Sequence, residues 1–182
     1  MRKYLFFVLL TAALFTGSVT YAQVPWKAEV PLSWSDFTGF PDESSPYIAF
    51  TYYNLSYRSS WDGGGTITIT VQCIFEKNKS WRKIEKKLTP EVLLHEQMHF
   101  NIAELYARRM RQAFADYTAV HKHSAETSAD IKKIFATCMD NCKAYNELYD
   151  LETSHSVNEP RQQEWNKKIT AQLTELSAYA LK

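Results

Sequence analysis

The chain has 182 residues, 45% hydrophobic and 23% charged, proportions that fit a globular protein and exclude a disordered or fibrous one. Its 21 basic and 20 acidic residues leave a formal net charge of +1, so no broad positive field is offered to a polyanion and nucleic acid is not an expected partner.

Residues 1–22 differ from the rest. Arg2 and Lys3 precede an apolar run from Tyr4 to Phe15, and small or polar residues follow up to Ala22. That is the layout of a secretory signal peptide, with cleavage expected near Ala22, one domain over residues 23–182, and export to the periplasm or the medium. The apolar run is shorter than the roughly 20 residues a membrane span needs, and no later stretch is long enough, so no membrane span is expected in the mature chain. Cys73, Cys138 and Cys142 are expected as a disulfide or as buried thiols, with the pairing open.

Val30 to Trp34 is short and apolar, and turn formers occupy Ser35 to Pro41. Tyr47 to Tyr57 is rich in aromatic and β-branched residues, as strands prefer. Asp62-Gly63-Gly64-Gly65 reads as a turn, after which Thr66 to Phe75 alternates polar with apolar. Ile67, Ile69, Val71 and Cys73 then share one face of a half-buried strand, with Tyr47 to Tyr57 as its expected antiparallel partner. From Thr89 onward the period changes to that of helices. Thr89 suits an N-cap, Pro90 the first turn and Glu91 the positive end of the dipole, so a helix is predicted to about Tyr117. A second is predicted from about Ser128 to Leu151 and a third after Asn158 and Pro160. Strands first and helices second predict an α+β fold, an N-terminal antiparallel sheet followed by a helical part.

The first predicted helix carries His95-Glu96-Gln97-Met98-His99. Histidines four apart lie about 40° apart around a helix and one turn along it, so both imidazoles can reach one metal ion. Glu96 is turned about 100° from His95, where a carboxylate serves as a base beside the metal rather than as a ligand. This is the zincin arrangement, and the expected cofactor is Zn2+. A catalytic zinc takes a third protein ligand. Glu104 lies nine residues after His95, about 13.5 Å along the helix and on its far side, so it is excluded. Leu105 stands where a metzincin needs its third histidine, which excludes that class. Among His121, His123, Glu126, Glu147, Glu152 and His155, the expected third ligand is His155, in the polar segment Tyr149 to Ser156, with Glu147 as runner-up. Asp150 is a candidate to hold a ligating imidazole by its second nitrogen and Tyr149 to stabilise an oxyanion, with helix-end packing the equal alternative for either. Glu104 and Arg108 are expected to form an ion pair on the helix.

The segments Leu32 to Phe37, Ser80-Trp81 and Leu94 to Glu104 with Ala107-Arg108, and Tyr149-Asp150 with Thr153, His155, Gln163 and Trp165, resemble the bacterial domain of unknown function 922, a family described as zinc-dependent proteases. The resemblance covers most of the mature chain, and the extended HEQxHF segment is its most specific mark. It implies a zincin-like site at His95, Glu96 and His99, with the third ligand from the Tyr-Asp-Thr-His stretch. Asn101 stands where the family leads one to expect aspartate, and Ser156 where it leads one to expect glycine. The expected function is an exported zinc-dependent metallopeptidase acting on a peptide or protein substrate, with Glu96 as its base. The alternatives are a non-catalytic zinc-binding or structural domain, or a metallohydrolase of another amide bond.

Overall fold

The computed structural model describes residues 22–84 and 86–181; the expected signal peptide, apart from Ala22, lies outside the described residues. Among these, five strands precede three helices: β1 (Gln23–Pro25), β2 (Ala49–Phe50), β3 (Tyr53–Trp61), β4 (Ile67–Glu76), β5 (Trp81–Arg82), α1 (Pro90–Val120), α2 (Thr127–Thr153) and α3 (Glu159–Glu175). The fold is α+β, an antiparallel sheet followed by three helices, as the order of patterns predicts.

The alternating run is the centre of the sheet. β4 lies between β1 and β3, antiparallel to both, with Tyr53 opposite Phe75 and Trp61 opposite Ile67. Ile67, Val71, Cys73 and Phe75 point into the core while Thr68, Thr70 and Gln72 face out, which is the period-two pattern made physical. Between β3 and β4, Asp62 Oδ1 accepts from the amides of Gly64 (2.9 Å) and Thr66 (2.8 Å). Gly65 has φ +73° there, a conformation open to glycine at little steric cost.

The partner strand differs from expectation. Tyr47 to Tyr57 is not one strand: Ala49–Phe50 leaves to pair with Trp81–Arg82, and only from Tyr53 does the chain join β4. The fully buried Ser80 makes the break. Its hydroxyl accepts from the Tyr52 amide (2.9 Å), and the Tyr52 carbonyl accepts from the Glu76 amide (3.0 Å). The backbone is thus satisfied while it turns from one sheet to the other. β1 was not expected at all, and a 3₁₀ turn at Trp34–Asp36 follows the apolar Val30 to Trp34.

α1 starts as predicted, with Thr89 Oγ1 accepting from the Val92 amide and Pro90 in the first turn, and runs three residues beyond Tyr117. At 1.5 Å per residue it is about 46 Å long and crosses the sheet, burying Phe100 against Phe75 (ring centroids 5.7 Å) and Phe114 against Tyr57 (5.7 Å). α3 is capped by Asn158, whose side chain accepts from the Arg161 amide; it closes the core with Trp165, Ile169 and Leu173. The Glu104–Arg108 pair is present and fully inside, with Arg111 added: Glu104 Oε1 is 3.0 Å from Arg108 Nε and 2.9 Å from Arg111 Nη1. Cys73, Cys138 and Cys142 are free thiols. Among the described residues no helix is long and apolar enough to cross a membrane.

Candidate functional site

The helix period alone places His95 and His99 on one side of α1, at the level where the last turns of α2 pack against it. Their Nε2 atoms are 3.2 Å apart. Asp150, on the facing side of α2, sets Oδ1 3.1 Å from His95 Nε2 and 3.0 Å from His99 Nε2. α2 then ends in a turn in which Ser154, His155 and Ser156 all have positive φ, and this turn swings His155 back so that its Nδ1 is 3.4 Å from the same Asp150 oxygen. One donor atom from each of His95, Asp150 and His155 falls within 4.8 Å of the others. The structure therefore gathers His95, His99, Asp150 and His155 around one point.

Asp150 differs from its expected place. For His95 and His99 it does not hold the second imidazole nitrogen but faces the Nε2 atoms themselves. The Nδ1 nitrogens are held instead by two residues that the sequence reading missed: Gln162 Oε1 lies 3.0 Å from His95 Nδ1, and Asn146 Oδ1 lies 2.7 Å from His99 Nδ1. Asn146 is one turn before Asp150, so helical spacing from Asp150 is a signal that finds it. Gln162 comes from the first turn of α3, and no local signal marks it.

Tyr149 takes the packing alternative. It is fully buried, its ring stacks on His95 at 4.7 Å, and its hydroxyl donates to the His95 carbonyl (3.3 Å) while accepting from Gln162 Nε2 (2.6 Å). It sits behind the imidazole, so an oxyanion in the cleft is out of its reach. Glu147 lines the same cleft but is exposed, 3.8 Å from Lys143, and is not in the cluster of donor atoms. His121 packs on Tyr117 and His123 on Trp61. Glu126 is bonded to Ser124, and Glu152 to Arg161 and Trp165.

Glu96 is buried beside the cluster. Its Oε2 has no hydrogen-bond partner among the described residues, although a buried carboxylate oxygen ordinarily has one. Burial works against the charged form of Asp150, but the hydrogen bonds and charges of His95 and His99 overcome it and hold the carboxyl well below its usual range. Burial likewise disfavours charge on His99, yet the Asp150 bond and charge, with Glu96 and Asn146, leave it raised. The group opens onto a cleft of about 940 Å³ bordered by Pro46 to Tyr53 on one wall and by α1 and the end of α2 on the other. Two imidazole nitrogens, a carboxylate and a third imidazole are donors that suit zinc.

The sequence model of a family described as bacterial protein of unknown function (DUF922) matches residues 36–156, well over half of the chain. The chain belongs to that family. The match includes His95, Glu96, His99, Asn146, Asp150 and His155 and ends before Gln162. No curated protein and no solved structure matches the chain.

Proposed function

We propose that this member of the domain of unknown function 922 family is an exported zinc-dependent metallopeptidase. The observation that carries the reading is the convergence of the two Nε2 atoms and Asp150 Oδ1 beside a buried glutamate with an unpartnered oxygen, at the wall of an open cleft. His95, His99 and Asp150 would hold the ion, with His155 as a further ligand. Bound there, zinc supplies Lewis acidity towards a carbonyl oxygen and towards water. Glu96, next to His95 but turned away from it, accepts a proton from the attacking water and returns it to the departing amine nitrogen.

The cleft wall supports a peptide as substrate. Lys83 N donates to Ile48 O (2.8 Å) and Ala49 stands opposite Arg82, so Ala49 is a non-hydrogen-bonded position of the β2–β5 pair. Its N–H and C=O, and those of Thr51 two residues on, turn away from β5 to the side where the cleft lies. An extended peptide can add to such an edge by main-chain hydrogen bonds. Thr51 Oγ1 donates to the Glu96 carbonyl (3.2 Å), which fixes that edge to the helix bearing the base.

The test is Glu96→Gln in the purified protein, with zinc content and turnover of a peptide library measured together. Zinc is retained and hydrolysis falls by roughly 10²–10⁴-fold, the usual worth of a positioned base. A native protein that takes up no zinc, or a variant that cleaves as fast as the native protein, would overturn the reading.

A further inference from the structure

Two backbone carbonyls determine which nitrogen of each imidazole carries the proton. A carbonyl can only accept a hydrogen bond. Asn146 Nδ2 lies 3.0 Å from the Cys142 carbonyl and 3.0 Å from the Tyr53 hydroxyl. The amide must therefore present its NH2 to Cys142 and its oxygen to His99 Nδ1, 2.7 Å away. An oxygen there requires an N–H on Nδ1. The second chain runs through Tyr149, whose hydroxyl donates its one proton to the His95 carbonyl and so can only accept from Gln162. Gln162 thus directs its NH2 to Tyr149 and to Asn166 Oδ1 (2.7 Å), and its oxygen to His95 Nδ1 (3.0 Å). His95 also needs an N–H on Nδ1. A neutral ring then keeps its lone pair on Nε2, whereas the hydrogen bonds from His95 and His99 Nε2 to Asp150 belong to the doubly protonated rings, which carry the same N–H on Nδ1.

We propose that Asn146 and Gln162 are positioning residues that hold His99 and His95 in the Nδ1–H tautomer, with Tyr53, the Cys142 carbonyl and Tyr149 fixing the orientation of the two amides. The free histidine side chain favours the opposite tautomer, with the proton on Nε2, so these amides reverse an intrinsic preference. They also fix each ring plane, because Nδ1 is tied on one side and, for His95, Tyr149 stacks on the face. An outer partner of this kind raises ligand basicity and typically changes metal affinity roughly 10–100-fold. The inference rests on the metal-site reading for its consequence but not for its geometry, which concerns the metal-free protein.

Two measurements separate the two claims. Two-bond ¹⁵N–¹H correlation spectra of the metal-free protein, at a pH where the rings are neutral, report the tautomer directly. The native protein shows both His95 and His99 as Nδ1–H; Asn146→Leu turns His99 to Nε2–H, Gln162→Met does the same to His95, and Gln162→Glu, which still accepts from Nδ1–H and can accept from the Tyr149 hydroxyl, retains the native pattern at His95. Zinc affinity by chelator competition then falls roughly 10–100-fold in the Leu and Met variants and stays within a few-fold in Gln162→Glu. Nε2–H rings in the native protein would overturn the proposal without any variant being needed. So would zinc affinity unchanged in both Asn146→Leu and Gln162→Met. A native protein with Nδ1–H rings that takes up no zinc would instead remove the metal reading and leave the tautomer assignment in place.

Discussion

Ser154, His155 and Ser156 have φ of 48°, 50° and 73°, and a side chain in the left-handed region costs roughly 1–2 kcal/mol per residue. The turn is held by bonds from outside it: the His155 amide donates to the Asp150 carbonyl (3.1 Å), and the Asn158 amide to the Thr153 carbonyl (2.8 Å). Strain kept at this place puts the His155 ring against Tyr47 (4.4 Å) and near Asp150. Ser156, where the family resemblance leads one to expect glycine, is the residue at which the cost is easiest to remove. Ser156→Gly is expected to raise the unfolding free energy by about 0.5–1 kcal/mol, the relief of strain less the entropy a glycine adds to the unfolded chain. Urea denaturation checks it, and a lower midpoint at unchanged slope would refute the strain argument. Asp150 carries a pH prediction. It raises the pKa of His99 against the opposing effect of burial, so in the metal-free protein protonated His99 stabilises the fold below about pH 6.5, the ordinary value, and that contribution is lost as pH rises through the higher folded value. In Asp150→Asn the charge and the charge-assisted bond are gone, burial prevails, and the His99 titration followed by NMR moves to lower pH. A titration that stays where it is would mean that Asp150 is not the cause.

The elements divide by how local their cause is. The Ser80 hydroxyl is the partner of the part-buried Tyr52 amide, and with Glu76 N it is what lets the chain leave β2 and enter β3. Ser80→Ala takes the partner from that N–H and removes the buried bond to the Glu76 carbonyl (2.9 Å), and is expected to cost about 1–3 kcal/mol, against a change within about 0.5 kcal/mol for the exposed Ser60→Ala; equal effects in the two variants would show that the switch between sheets is held elsewhere. The break between Tyr47 and Tyr57 therefore leaves no mark in that segment itself. Composition over Tyr47 to Tyr57 says strand throughout, and the break comes from residue 80, far along the chain. β4 and α1 were legible because their signals are internal: an alternation from Ile67 to Phe75, and a cap, proline and acid at Thr89 to Glu91. β1, β2 and β5, of two or three residues each, have no period to read. The site divides in the same way. His95, Glu96 and His99 follow from spacing on one helix, and the Tyr149 to Ser156 segment was marked by composition. The partition of roles among Tyr149, Asp150, Asn146 and Gln162 depends on how α2 and α3 meet α1, which no single segment encodes.

Across the whole molecule, α1 is the element that the sheet, α2, α3 and the C-terminal turn all touch, and its two sides carry different work. One side presents His95, Glu96 and His99 to the cleft. The other buries Glu104, whose carboxylate holds Arg108 and Arg111; these reach the carbonyls of Leu173 at the end of α3, Val71 in β4 and Tyr179 beyond α3. Three backbone segments are thus joined to the helix through one buried acid. Removing one partner of such a group leaves the others charged and unpaired, and typically costs about 3–5 kcal/mol. Glu104→Gln is expected to lose that much, with a lowered thermal midpoint, because the Arg108 and Arg111 side chains, only 7% and 11% exposed, are left without a counter-charge. Its folded form should still bind zinc at the native stoichiometry, since Glu104 lies about 13.5 Å along the helix from His95. Asp150→Asn is its counterpart, weakening zinc binding while removing no buried arginine partner. Zinc uptake and thermal unfolding measured on both variants separate the two sides of α1: loss of zinc from a folded Glu104→Gln protein would mean that the arginine cluster and the histidine cluster are coupled through the helix, and that α1 is not the rigid divider its packing describes.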